Sequence, residues 1–313
     1  MPASTHVLSL IAAADAPDLA HEAIGVARAA FPEAGGPAWL SPRHACELPL
    51  TLYDGAEPRE SLDRLRTELG RARIDANLVP VGNRRKRLLV ADMDSTMVEQ
   101  ETLDELADVV GRKPEVAAIT ERAMAGELDF PSALRARIAL IAEADQGADQ
   151  GLLEQVARRI RYVQGGATLL ATMRAHGAFS ALVSGGFAEL VGMAADVLGF
   201  DAWRANRFLY RDGRIVGVDE PILGQEAKLA ALAEFSGARG LRLEDALCVG
   251  DGANDIPMLQ AAGLGVAFRA KPLVRAQVPV QVSHADLTAL LYLQGYSDLD
   301  IARAADDAIT APG

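Results

Sequence analysis

Arg87-Leu88-Leu89-Val90-Ala91-Asp92-Met93-Asp94-Ser95-Thr96 is the stretch on which the reading of this chain turns. Leu88 to Ala91 is an apolar run of strand length, and two carboxylates follow where a loop must begin. Strand side chains alternate faces, so Asp92 and Asp94 fall near one another while Met93 points away. Neighbouring acids repel unless a cation lies between them or one keeps its proton. A carboxylate nucleophile and a general acid sharing a metal-assisted site would meet that condition. The stretch points to an enzyme.

Its partners follow in order along the chain. Ala181-Leu182-Val183 runs into Ser184-Gly185-Gly186, a hydroxyl and exposed amides suited to phosphate oxygens. Lys228, in a predicted helix from Gln225 to Phe235, offers a compact positive charge. Glu244 to Val249 reads as a second buried strand ending in Gly250-Asp251-Gly252-Ala253-Asn254-Asp255, where the glycines let the backbone turn sharply and approach a ligand. Asp251 then supplies a further oxygen ligand for a hard cation such as Mg²⁺.

This ordered set resembles the haloacid dehalogenase superfamily, whose four motifs match Asp92 to Thr96, Ser184, Lys228 and Gly250 to Asp255. Within it, Glu101, the stretch Met124 to Arg137, Val183 to Phe187 and Ala205-Asn206-Arg207 look like the phosphoserine phosphatase family. The resemblance covers residues 87–294. It implies a Mg²⁺-dependent hydrolase that converts O-phospho-L-serine to L-serine and phosphate, the last step of serine biosynthesis. The catalytic residues would be Asp92, Asp94, Ser184 and Lys228, and the metal would be held by Asp92, Asp251 and the backbone carbonyl of Asp94. Glu101, Phe130, Arg137, Ser184, Gly185, Lys228 and Asn254 would bind the substrate. Asn254 would orient the phosphate or Lys228, and Asp255 would order the metal's waters.

Rival readings fare worse. An EF-hand loop starting at Asp92 needs Gly at Met97 and Glu at Leu103 and has neither. A dinucleotide fingerprint at Gly250 meets Asp255 at its third glycine position. The five histidines are scattered without ligand spacing, which argues against zinc. A phosphotransferase using the same Asp92, a phosphatase for another small phosphomonoester, and a non-catalytic serine-sensing regulator stay open.

Composition bounds the rest. The 313 residues suffice for two domains. A net charge of −12 argues against nucleic acid as partner and requires an anionic phosphate to be attracted locally. No apolar run approaches the roughly 20 residues needed to span a bilayer, and the first residues do not read as a secretory signal. Cys46 and Cys248 are the only cysteines and are expected to stay reduced in the cytoplasm. Self-association is left open. The dense basic run Arg84-Arg85-Lys86-Arg87 reads as a solvated linker.

Residues 1–82 show a β-α-β-β-α-β order: Val7 to Ala12, Pro17 to Phe31, Ala38 to Ser41, Cys46 to Leu52, Pro58 to Leu69 and Ile74 to Val81. That order suggests a ferredoxin-like, ACT-like α+β domain, with Leu8, Leu10, Ile11 and Val79 as residues that could pack partly against the remainder. Residues 83–313 then form an α/β phosphatase domain, a doubly wound parallel sheet with a helical cap inserted at about 99–164, after its first strand. Leu103, Leu106, Val109 and Val110 share one helix face of the cap, as do Leu134, Ile138 and Ile141. Because every proposed catalytic residue lies between Asp92 and Asp255, a fragment beginning near Gly82 is expected to retain hydrolysis.

Overall fold

Alternation of buried side chains along each central strand sets the architecture. A computed structural model describes residues 4–15, 19–53, 58–124, 127–144, 149–224 and 226–302. Strand β1 (His6–Ala12), helix α1 (His21–Ala30), β2 (Ala38–Ser41), β3 (Ala45–Leu50), α2 (Arg59–Gly70) and β4 (Ile74–Pro80) come first. The four strands form one antiparallel sheet in the order β2-β3-β1-β4, the ferredoxin-like arrangement. Leu8, Leu10, Leu48 and Ala76 face α1 and α2 and make this unit's own core with Ile24, Leu62 and Leu65.

β5 (Leu88–Ala91) opens the second sheet. Four helices follow it: α3 (Thr102–Val109), α4 (Lys113–Met124), α5 (Phe130–Ala144) and α6 (Asp149–Arg159). Then come α7 (Gly166–Ala175), β6 (Phe179–Phe187), α8 (Ala188–Leu198), β7 (Ala202–Asn206) and a hairpin of β8 (Phe208–Arg211) and β9 (Arg214–Val218). The chain closes with α9 (Glu226–Gly237), β10 (Ala246–Gly250), α10 (Ile256–Ala261), β11 (Leu264–Phe268), α11 (Pro272–Gln277), β12 (Val280–Val282) and α12 (Ala289–Leu293). The six-stranded sheet has order β12-β11-β10-β5-β6-β7 and is parallel throughout. Leu89, Ala91, Leu182, Leu247 and Val249 bury toward one helical layer, whereas Leu88, Val90, Val183, Ala246 and Cys248 bury toward the other. Covering both faces in this way is what a parallel sheet requires.

The cap packs through Leu106, Val116, Leu134, Ile138, Ile141, Leu152 and Val156, while Leu103, Val109 and Val110 are only partly buried. The unforeseen β8–β9 hairpin joins that cluster through Phe208, Ile215 and Val218, with Phe208 stacked on Phe187 at 3.7 Å between ring centres. At the base of the cap, Val98 bridges Tyr162, and Glu99 N–H and Val163 N–H donate to the carbonyls of Arg161 and Met97.

Two expectations are corrected where the sheets meet. Val7, Ile11, Ala45 and Val79 lie in the same apolar cluster as Leu89, Leu290 and Tyr292, so the N-terminal sheet uses its second face as a wall of the larger core. Leu8 and Leu10 are on the opposite face, as strand alternation demands, and do not join it. The two edge strands β4 and β12 are linked by side chains. Asn77 Oδ1 accepts from Gln281 N–H while its Nδ2 donates to Gln281 O, both at 2.8 Å. Asp75 accepts from the amides of Ser283 and Ala285 at 2.8 and 2.9 Å.

Nor is the basic run a solvated linker. Arg84 pairs with Glu47 of β3 and donates to Leu293 O at 3.0 Å. Arg85 pairs with Asp300 at 3.0 Å and lies over the Tyr296 ring. Lys86 is buried and donates to Glu244 O at 2.8 Å. These three cations each find an acceptor, Arg84 across the junction, whereas the Arg87 side chain is exposed. Both cysteines are free and buried, and burial pushes the Cys46 thiol up to about 12. Among the described residues, no helix is long and apolar enough to cross a membrane.

Candidate active site

Strands β5, β6 and β10 are neighbours at the centre of the parallel sheet; Asp92 and Asp251 follow the carboxyl ends of β5 and β10, and Ser184 lies in β6 just past its last pairing with β5. Ligands of open parallel sheets bind beyond such ends. Asp92, Asp251 and Asp255 are all buried, and their carboxylate oxygens converge within 4.8 Å of one another. Burial, then the Asp255 charge, raises the Asp92 carboxyl well above the usual carboxylate range, against the pull of Lys228. Burial also pushes Asp251 up to about 6, with Lys271 opposing and Asp255 adding to the rise. Crowded buried anions of this kind are short of positive charge, which fits a hard divalent cation.

Lys228 enters from α9 and is buried between two acids, 2.6 Å from Asp92 Oδ1 and 2.5 Å from Asp255 Oδ1. Met93 N–H also donates to Asp92 Oδ1, at 2.8 Å. Among the described residues, no hydrogen bond engages Asp92 Oδ2. The other oxygen of Asp255 accepts from Gly252 N–H at 2.9 Å. The glycines here serve close approach rather than a left-handed turn, since a Cβ on Gly250 would lie 2.4 Å from Asp255 Cγ.

Asp94 is tied to the first residue of α3, the first helix of the cap. Thr102 Oγ1 donates to Asp94 Oδ2 at 3.1 Å and Thr102 N–H to Oδ1 at 3.3 Å, so the carboxylate caps the start of α3. Burial, then the Glu101 charge, pushes Asp94 up to about 7, although the Thr102 bonds pull it back. A carboxyl titrating near neutrality can give and take a proton. Ser95, in left-handed backbone at φ +56°, donates to Glu101 Oε1 at 2.8 Å. Ser184 Oγ accepts from Gly186 N–H at 2.9 Å, which leaves its own proton free to donate.

A cavity of about 140 Å³ brings Asp92, Asp94, Glu101, Phe130, Arg137 and Ser184 together with Gly185, Asp251 and Asn254. Lys228 lines an adjoining cavity of about 450 Å³ that shares Phe130, Arg137, Ser184 and Asn254. Every residue given a role from the sequence is therefore on one or both of these walls except Asp255, which is fully buried against Lys228. Of the stretch Met124 to Arg137, positions 125–126 lie outside the described residues, as does Gln225.

Three residues without an assigned role also contribute. Thr102 holds Asp94, and a threonine at a helix start is the signal that could have found it. Asn206 Nδ2 donates to Gly185 O at 2.8 Å, and its Oδ1 accepts from Leu223 N–H at 2.7 Å, tying the Ser184 loop to the segment before α9. Lys271, just after β11, lines the cavity beside Asp251.

Comparison with known proteins agrees with this geometry. The model of the haloacid dehalogenase-like hydrolase family matches residues 89–260. A phosphoserine phosphatase of Streptomyces coelicolor is 38% identical over 265 residues, spanning 83% of this chain and 64% of that protein. A phosphoserine phosphatase of Streptococcus thermophilus is 42% identical over 203 residues, spanning 64% of this chain and 93% of its own. A solved structure of phosphoserine phosphatase as an analogue of its phospho-aspartyl intermediate superposes with TM-score 0.60 at 36% identity, over 66% of this chain and 98% of that one. The chain belongs to the haloacid dehalogenase-like hydrolases and, within them, to the phosphoserine phosphatase family.

Proposed function

We propose that this protein hydrolyses O-phospho-L-serine to L-serine and phosphate through an aspartyl-phosphate on Asp92. The observation that carries the reading is the convergence, on one cavity, of Asp92, Asp94 and Ser184 with a separate acid and base, Glu101 and Arg137. Phosphoserine presents an ammonium and a carboxylate besides its phosphate, and these two side chains match them. Arg137 can pair with the carboxylate in bidentate fashion.

Asp92 attacks phosphorus through Oδ2 while Lys228 and Met93 N–H hold Oδ1, forming the O–P bond as the bond to the seryl oxygen breaks. Asp94 protonates that oxygen, then removes a proton from the water that hydrolyses the aspartyl-phosphate. The Ser184 hydroxyl, its lone pair held by Gly186 N–H, and the Gly185 amide stabilise charge on the equatorial phosphate oxygens, the chief need of a loose transition state. The acids Asp92 and Asp251, with Asp255 beside them and the carbonyl of Asp94, would hold Mg²⁺. Bound there, it would supply Lewis-acid polarisation of the phosphate. Burial of two unpaired thiols suits the reducing cytoplasm.

Phosphate release from a panel of phosphomonoesters, with Mg²⁺ and with EDTA, tests the reading. Phosphoserine should be preferred by its kcat/KM and be inert in EDTA. Equal turnover of esters lacking the amino-acid groups would contradict the substrate assignment.

A further inference from the structure

The walls of the 140 Å³ cavity carry four carboxylates, Asp92, Asp94, Glu101 and Asp251, against two cations, Arg137 and Lys271. The whole chain has a net charge of −12, so a phosphate dianion approaches against the general field. Lys228 does little to redress this, because its ammonium is shared between Asp92 and Asp255 at 2.6 and 2.5 Å. Arg137 belongs to the cap, where its guanidinium sits in the field of Asp104 and Glu101.

Lys271 is placed differently. It comes from the core, so its position does not depend on the cap. Its side chain is 63% exposed, and Nζ is 3.6 Å from Asp251 Oδ2, a loose contact that leaves the ammonium free to move. Its backbone, by contrast, is firmly set. Lys271 N–H donates to Asp251 O at 3.1 Å, and Arg269, two residues earlier, is held in left-handed backbone at φ +44° by a 2.7 Å bond from its N–H to Val282 O. Such backbone in a non-glycine residue persists only where its surroundings fix it.

We propose that Lys271 is the entrance cation of the active site, drawing the substrate's phosphate toward Asp92 and contacting it during capture. The proposal rests on the phosphatase reading above. A compact ammonium on a flexible stem suits a dianion that must first be met in solvent and then passed inward. Steering of this kind acts on association and weakens as salt rises, so the residue contributes chiefly to kcat/KM.

The test uses the full chain as wild type and as Lys271→Gln, Lys271→Arg and Lys271→Glu. Steady-state hydrolysis of phosphoserine and of p-nitrophenyl phosphate is followed across a range of ionic strength, and binding of inorganic phosphate is measured by calorimetry with Mg²⁺ present. Lys271→Gln should lower kcat/KM on both esters about ten-fold at low salt and flatten its salt dependence, with KM moving more than kcat. Lys271→Arg should retain most of the wild-type value, Lys271→Glu should fall below Lys271→Gln, and phosphate affinity should weaken in the same order. An unchanged salt slope and phosphate affinity in Lys271→Gln would overturn the proposal. So would full rescue of that variant by excess Mg²⁺, which would mean Lys271 only steadies Asp251. If phosphoserine is inert but the aryl ester is cleaved, the substrate reading fails, while the ester and phosphate arms still decide the role of Lys271.

Discussion

The ammonium of Lys228 lies 2.6 Å from Asp92 Oδ1, and both groups are buried. A second acid, Asp255, shares the same nitrogen at 2.5 Å. Burial pulls the lysine's pKa down, but the two carboxylates outweigh it and hold the group above its ordinary range. The nucleophile is therefore fixed by a charge that also keeps two acids from repelling one another.

Lys228→Met should remove that charge and leave two buried carboxylates unpaired. Losing one partner of a buried pair costs about 3–5 kcal/mol. Urea unfolding without added divalent cation should show a loss of that order, and phosphate release should fall to background. A variant as stable as wild type would mean the acids find other partners.

Relief of the same repulsion predicts a stabilising effect of the metal. Mg²⁺ should raise the thermal midpoint of wild type, because a ligand bound only by the native state stabilises it by mass action. Asp251→Asn should lose most of that rise while keeping a cooperative transition. An equal Mg²⁺-induced shift in wild type and variant, measured by scanning calorimetry, would place the cation elsewhere.

Glu101→Gln and Arg137→Ala should each reduce kcat/KM for phosphoserine far more than for an ester lacking the amino and carboxylate groups. Each lost contact involves a charged partner and is worth roughly 1.5–3 kcal/mol, about ten- to a hundred-fold. Comparing phosphoserine with p-nitrophenyl phosphate measures the difference. Equal losses on both would show that these residues do not read the amino acid.

Removing residues 1–81 should be damaging, contrary to what the distribution of catalytic residues along the chain suggests. Val7, Ile11 and Val79 line the larger core, and Asp75 and Asn77 bind the backbone around β12. Truncation would uncover this apolar wall and an edge strand, both of which favour aggregation. The fragment should melt at lower temperature than the full chain and aggregate on heating. A monomeric fragment with an unchanged melting temperature would show that the shared wall contributes little.

How much of this was legible in the sequence varied with the kind of signal. Asp92, Ser184 and Asp251 could be placed because each follows an apolar run, and the carboxyl-terminal parts of neighbouring parallel strands converge at one edge of the sheet, although β6 itself continues past Ser184 to Phe187. The helical cap was legible from Leu134, Ile138 and Ile141 at helical spacing, all of which are buried in its core. The β8–β9 hairpin was missed because its strands are only four and five residues long and leave Leu209, Tyr210 and Val216 exposed. The basic run misled for another reason. Charge patterning cannot show that Arg84 finds Glu47, or that Lys86 finds Glu244 O, because those partners lie far away in sequence. Asp94's bond to Thr102 depends on how the loop folds back, which residue spacing alone does not fix.

The central claim is that phosphate passes through Asp92. The most direct measurement is mass spectrometry of Asp94→Asn quenched in acid during turnover of phosphoserine with Mg²⁺, because loss of the proton-transfer group should let the intermediate accumulate. The peptide spanning residues 88–101 should carry one phosphoryl group, localised to Asp92, and Asp92→Asn should show neither label nor turnover. A phosphoryl group on another residue, or near wild-type hydrolysis by Asp92→Asn, would contradict the account.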